Sequence, residues 1–450
     1  MFQTLKNAWK ITELRSKLIF TLLIIVLYRL GTQLPMPWVN PEVMEYYLAD
    51  SASIFTWVNM LSGGAFSQAT LFALSVSPYI TASIVIQLLT VAIPKFEAWS
   101  KEGEHGRKIL SAITRYTTVA LSLITSIGYT MYLRNMGMLT YKQGDDMWLF
   151  RDITLVLCYC AGASVIMWLA EKINEHGIGN GISIVLFANI IARLPSMIMS
   201  IIRHSFDVPS TQTWPDFAKM EVLDIVLGFV FTILFLAILL AATIFVVWFS
   251  NSERRIPVQY AKRVVGRKMY GGQSTNLPIK LNMSGVMPVI FASSIVSILP
   301  TVAGFIPNTG FAEFVNDYLS YTSFPYIALY LILTIAFAYF YSMISFNPVE
   351  VSNNLRNNGG AIPGIRPGKP TVEYIKRIVN RITLLGALFL CVLCGLPMIV
   401  NAVWYAIDGT GISELAFGGS SLLIVVGVAL ETFREIEAQM TLRNYKGFLD

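Results

Sequence analysis

Apolar residues in this chain come in blocks separated by polar and basic connections. A hydrocarbon layer about 30 Å thick takes roughly 20 apolar residues of helix to cross. Ten stretches fit: 18–34, 76–93, 113–133, 153–170, 182–202, 223–249, 285–305, 325–345, 382–403 and 419–438. One further half-apolar stretch, Leu61-Ser-Gly-Gly-Ala-Phe-Ser-Gln-Ala-Thr-Leu71, is too short to cross. Pro78 follows and interrupts the entry to the second span, because proline lacks an amide donor. A broken, re-entrant element is expected there. Irregular backbone at membrane depth persists only inside protein or beside a water-filled cavity. The pattern predicts an all-α polytopic membrane protein with ten transmembrane helices.

Composition agrees with that pattern. Apolar residues make up 55% of the 450 positions and charged residues 13%. An average soluble domain carries roughly 25% charged residues. So little charge does not cover a soluble protein of this length. A disordered chain, a disulfide scaffold and an ordinary cytosolic enzyme are excluded. Lys6, Lys10, Arg15 and Lys17 precede an apolar run without a small-residue cleavage site. A retained first span is expected rather than a signal peptide.

Charge sets the orientation. Basic residues crowd the N-terminal arm, the 94–115 connection, the loops 250–283 and 346–381, and the C-terminal tail. The alternate connections carry acids instead, including Glu42, Glu45, Glu313 and Asp317. By the positive-inside rule the basic side is cytoplasmic, and with ten spans both termini lie there. Five spans on each side of 203–221 start the second half from the opposite face. That suggests inverted halves, 1–202 and 222–450, with 203–221 as a hinge.

The two large cytoplasmic loops carry Arg254, Arg255, Lys262, Arg263, Arg267, Lys268, Arg356 and Arg366, among other bases. From Arg254 to Arg263 apolar and polar residues alternate as in a strand, and 353–368 is rich in Gly and Pro turn signals. Ordered basic loops suit a large anionic partner, either ribosomal RNA or an acidic protein face. Plain orientation bias and lipid headgroup contact are the alternative.

Candidate chemistry is sparse. Cys158, Cys160, Cys391 and Cys394 all lie in apolar runs and read as packing residues. His105, His176 and His204 form no spaced ligand set with them. No catalytic residue, metal site or cofactor is expected. No Asp or Glu falls mid-span in the first nine stretches, which argues against an ion-coupled transporter. Arg193 lies deep in the fifth, and Glu431, Glu435 and Glu437 close the tenth.

A series of short motifs runs along nearly the whole chain. They include Arg29-x-Gly31 with Pro35-Met-Pro37, Asn59-Met-Leu-Ser-Gly-Gly64, and Pro78-Tyr-Ile-Thr-Ala-Ser83 with Gln87. Lys101-Glu-Gly-Glu-x-Gly-Arg107, Gly177-Ile-Gly-Asn-Gly-Ile-Ser183 and Arg254-Arg-Ile-Pro257 follow. Tyr260-Ala-Lys-Arg263, Gly271-Gly-Gln-Ser-Thr-x-Leu-Pro278, Phe346-Asn-Pro348, Pro363-Gly-Ile-Arg-Pro-Gly368 and Ser421-Leu-Leu-Ile-Val425 complete the series. In this order the chain resembles the SecY/Sec61-alpha family, the central channel subunits of protein translocases.

The resemblance implies an hourglass of two halves that passes unfolded secretory polypeptides through its waist. It also implies sideways release of signal sequences and membrane helices into lipid. It places Val76, Ile80, Ile182, Leu186, Ile290 and Ile424 in a ring at the waist. It makes Leu61, Ser62, Gly63, Gly64, Ala65 and Phe66 part of a short plug helix, loosely packed. It puts Ser83 and Gln87 on the second helix opposite Ser293 and Ser294 on the seventh, across a lateral gate. The basic loop residues named above become docking points for the SecA motor or the ribosome. SecE and SecG are the implied small membrane partners, precursors and signal sequences the clients, and the bacterial plasma membrane the location.

Overall fold

A computed structural model describes residues 6, 8–40, 59, 61–142, 144, 146–206, 222–260, 263–265, 268–270, 274–305, 310–320, 323–408 and 413–446. Most of them are helical. The first half holds α1 (Thr12–Gly31), α2 (Ser77–Ala92), α3 (Pro94–Lys101), α4 (Glu104–Asn135), α5 (Trp148–His176) and α6 (Gly181–Ser205). The second holds α7 (Val222–Asn251), α8 (Met287–Phe305), α9 (Gly310–Tyr318), α10 (Phe324–Ser345), α11 (Pro348–Asn357), α12 (Lys369–Asp408) and α13 (Ser413–Lys446).

Each of the ten apolar stretches falls on a helix, but not all pass as spans by length and apolarity. Six described helices do so alone: α4, α5, α6, α7, α10 and α12. α2 and α3 qualify only as a pair, bent by 101°. Pro94 opens α3 and supplies the break. α8 is shorter, and α1 carries Arg15, Lys17 and Arg29 within its length.

Several helices also outrun their apolar stretch. α4 starts at Glu104 and α12 at Lys369, well before the first apolar residue expected of each span. Polar residues continue a helix readily once i,i+4 pairs support it, and Glu104 meets Lys108 at 2.9 Å. α7 buries only 6% of its apolar window inside the chain. A helix that is apolar all round and unburied belongs against lipid or a partner helix.

The loops depart from the all-α expectation. β1 (Glu253–Tyr260) pairs antiparallel with β4 (Ser274–Lys280), and β5 (Gly360–Ala361) adds to its other edge. The order is β4-β1-β5. β2 (Arg263–Val265) and β3 (Lys268–Tyr270) pair antiparallel beyond it. Within the alternation read at 254–263, residues 254–260 belong to strand β1, with Ile256 and Val258 turned inward. Residues 353–357, read as turns, instead finish α11. The Asn347 side chain caps that helix by accepting from the Val349 and Glu350 amides.

Ile256, Val258, Ile279, Leu355, Ile362, Ile375, Val379 and Ile382 form a core of their own. It joins the sheet to α11 and the start of α12, apart from the main membrane core. Ile375 is fully buried in it. Ile375→Ala is expected to cost about 2–4 kcal/mol. The expected result is faster proteolytic cutting within 253–281, with the membrane helices left intact.

Candidate functional site

The residues assigned to a waist converge. Val76, Ile80 of α2, Leu186 of α6, Ile290 of α8 and Ile424 of α13 are each at most 3% exposed and lie in one apolar cluster. Ile182 packs against it half-buried. α6 delivers its pair because the Asn180 side chain caps its start, accepting from the Ile182 amide at 3.1 Å. Both halves of the chain contribute. Such a meeting of branched side chains offers nothing for water to bond to.

Beside this cluster runs the segment 61–76. Residues 62–69 and 71–76 form turns, with Thr70 bridged antiparallel to Pro35, rather than the expected short helix. Gly63, Gly64, Ala69 and Ser75 all have positive φ, and left-handed residues interrupt a right-handed helix. The packing is also tighter than its small side chains suggest. Ser62 Oγ donates to the Asn59 carbonyl and accepts from the Phe66 amide, both at 3.0 Å. Tyr129 Oη of α4 donates to the Phe66 carbonyl at 2.8 Å, and Tyr159 Oη of α5 to the Ala69 carbonyl at 3.2 Å. The Phe66 and Tyr129 ring centroids are 4.8 Å apart. The Leu71 amide donates to the Leu34 carbonyl at 3.0 Å.

The four polar residues expected across a seam bond within their own helices. Gln87 Nε2 donates to Ser83 Oγ at 3.3 Å. Ser293 and Ser294 both donate to the Ile290 carbonyl at 2.8 Å. Helical serines commonly bond the carbonyl three or four residues back, so no cross-seam pair is needed to satisfy them. Between α2, α4 and α8 lies a cavity of about 240 Å³, with Thr81, Ser294, Ser297 and Phe66 in its walls. Of the four residues, only Ser294 lines it.

A second cavity, of about 380 Å³, opens beside the end of α7 and the middle of α13 and is lined by Lys280, Asn282, Tyr341, Glu431 and Arg434 among others. Arg434 Nη2 donates to the Ser250 carbonyl at 3.0 Å and to Asn251 Oδ1 at 2.7 Å, tying α13 to α7. Burial, with the Arg434 guanidinium nearby, pushes the Lys280 ammonium down from its usual pKa.

The basic loop residues divide into two groups. Arg254, Arg255, Arg356 and Arg366 are exposed on the sheet, at the end of α11 and in the turn after β5. Arg255 Nε pairs with Glu253 Oε1 at 2.8 Å. The Arg366 carbonyl accepts from Thr371 Oγ1 at 2.9 Å, which fixes its turn. Arg263 and Lys268 belong to the β2–β3 hairpin. Lys262 and Arg267 lie outside the described residues. All four cysteines are free, and Cys394 packs in the main core.

The SecY family model matches residues 70–433. The chain belongs to the SecY family.

Full-length SecY relatives agree. The protein translocase subunit SecY of Streptomyces galbus is 42% identical over 460 residues, covering 100% of both chains. That of Halalkalibacterium halodurans is 43% identical over 453 residues, again covering 100% of both. Among solved structures, one described as a protein conducting channel matches with TM-score 0.62 at 18% identity, over 94% of this chain and 92% of that one. Sec61 in the canine ribosome-channel complex matches with TM-score 0.59 at 16% identity, over 95% of this chain and 92% of that one. A SecY-family chain with these apolar helices is a multi-pass membrane protein.

Reading the SecY motifs alone misses the side chains that hold 61–76. Tyr129, Tyr159 and Asn189 all bond its backbone. The signal was present in each case. A tyrosine or asparagine inside an apolar span must find a partner.

Proposed function

We propose that this chain is the protein-conducting channel of a bacterial Sec translocase. Unfolded polypeptides pass through its waist, and apolar segments leave sideways into lipid. The observation that carries the reading is that five of the six apolar side chains, Val76, Ile80, Leu186, Ile290 and Ile424, lie buried in one core drawn from both halves, with Ile182 packed against it. A ring of branched side chains seals by excluding water when empty, yet binds no sliding chain.

In this reading ten helices cross the membrane in two inverted halves, 1–202 and 222–450, hinged at 203–221 around an hourglass pore. Residues 61–71 act as the plug. A related structure carries the description that the plug domain of SecY stabilises the closed state and maintains a membrane seal. The gate lies between α2 and α8, at Ser83, Gln87, Ser293 and Ser294. Both termini face the cytoplasm of a bacterial plasma membrane. The exposed bases Arg254, Arg255, Arg356 and Arg366, with Lys262, Arg263, Arg267 and Lys268 at the hairpin, dock SecA or the ribosome in turn. A ribosome-bound relative supports the second partner. SecE and SecG are the small partners that cover apolar helix faces. The chain itself catalyses nothing. Its partner's ATP hydrolysis or chain elongation drives transport.

Site-specific crosslinking tests this. Single cysteines at Ile80, Ile182 and Ile424 are placed in a chain freed of its native cysteines. Vesicles with the small subunits then receive a stalled secretory precursor, SecA and ATP. ATP-dependent adducts are expected at all three sites. Translocation without any of these adducts would put the polypeptide path elsewhere.

A further inference from the structure

Asn189 is fully buried in an apolar run of α6, Val185-Leu-Phe-Ala-Asn189-Ile-Ile191. A primary amide in such a place is costly unless its groups are bonded. Its Nδ2 donates to the Leu61 carbonyl at 2.6 Å and to Ser75 Oγ at 3.5 Å. Ser75 Oγ donates to the same Leu61 carbonyl at 3.2 Å. Leu61 and Ser75 stand at opposite ends of the turn segment beside the waist. One side chain on a neighbouring helix therefore holds both ends of that segment together.

Two further observations bear on the same spot. Ser75 adopts φ of +52°, a region that only glycine enters without strain. Strain of this kind persists where the surroundings impose it and commonly marks a working site. Gly63 follows Leu61 closely, and a Cβ on it would stand 2.8 Å from both Arg29 Nη1 and Asn189 Oδ1. Neither atom makes a hydrogen bond of ordinary geometry among the described residues, and the buried Tyr28 hydroxyl stands beside Asn189 and Ser75 in the same spot. The contact is thus only half satisfied. The Leu61 carbonyl is well bonded, while a strained serine and two unmet polar atoms press against the same arrangement. Water reaching the cluster would satisfy Arg29 and Asn189 once the segment moved.

We propose that Asn189 and Ser75 form a clasp on the two ends of 61–75, and that this clasp sets how readily the segment leaves the waist. The proposal rests on reading that segment as the plug. Asn189 acts through the segment and touches no client, so it is a positioning residue.

The test uses the full chain with its small subunits in vesicles, without precursor, and reads the resting ion flux. Four variants are compared with the parent: Asn189→Ala, Ser75→Gly, the double variant, and a chain lacking 62–70. Asn189→Ala is expected to raise the flux about tenfold, the effect of leaving one buried carbonyl short of a donor. The double variant should leak more than the product of the singles, because after either single change the other donor still serves the Leu61 carbonyl. Cysteines at Phe66 and Tyr129, oxidised in the Asn189→Ala chain, should restore the seal, and a reductant should release it. A general loosening of the helix bundle would not respond to that lock, and a leak that ignores it overturns the clasp. A tight Asn189→Ala chain alongside a leaking deletion also overturns the clasp and leaves the plug reading standing. A tight deletion overturns both.

Discussion

An aspartate in place of Leu186 should make the empty channel conduct ions about a hundredfold faster than the parent, since every 1.4 kcal/mol is a factor of ten. Leu186 has no exposed surface and lies in the same apolar core as Ile80, Ile290 and Ile424. An ionised carboxylate in such a place is costly without water or a counter-charge. The nearest relief is hydration of the waist, and a wet waist conducts. The leak should shrink as pH falls, because protonation removes the charge that draws water in. Leu186→Met keeps volume and polarity, costs under about 1.5 kcal/mol, and should remain sealed. Ion flux from vesicles, read across pH, checks all three statements. A Leu186→Asp chain that folds and stays sealed would remove Leu186 from the ring.

Reversing Arg356 and Arg366 together, to glutamate, should weaken binding of SecA and of empty ribosomes to the membrane-embedded chain. The two arginines are exposed and flank β5, on loops held by the small core around Ile375. Two reversals change the local charge by four units while leaving that core untouched. At low salt the dissociation constant should rise about a hundredfold, and the effect should fade as salt is added, since exposed charges are screened within about 10 Å at 0.1 M. Binding measured at two ionic strengths gives the answer. Unchanged binding would shift docking to the segment 261–273.

Much of this architecture is legible in the sequence because membrane helices announce themselves by length. Each apolar block became a helix, and the alternation at 254–260 became β1. Three things were hidden for physical reasons. Helix ends were missed where charged residues prolong α4 and α12, since apolarity marks the lipid layer and not the end of the hydrogen-bond ladder. The form of 61–76 was missed because four left-handed residues decide it, two of them the non-glycines Ala69 and Ser75. The holding contacts were missed because a bond such as Asn189 to the Leu61 carbonyl spans 128 positions. The family motifs name Ile80, Leu186, Ile290 and Ile424, which all lie in the main apolar core, and the i,i+4 spacing of Ser83 and Gln87 on a helix already permits the bond they make.

The sheet formed by the two basic loops is also a mechanical joint. β1 continues from α7, and β4 runs on into α8 through residues 281–286 alone. That tether has no slack at its root, because the Leu281 amide donates to the Ser252 carbonyl at 2.9 Å. At its far end Val286 presses on α13, with Cγ1 only 2.2 Å from where a Cβ on Gly427 would stand. Ile290 lies one turn past Val286, and Ile424 one turn before Gly427. A load applied to the loops thus has a short, stiff lever onto two of the helices that meet at the waist.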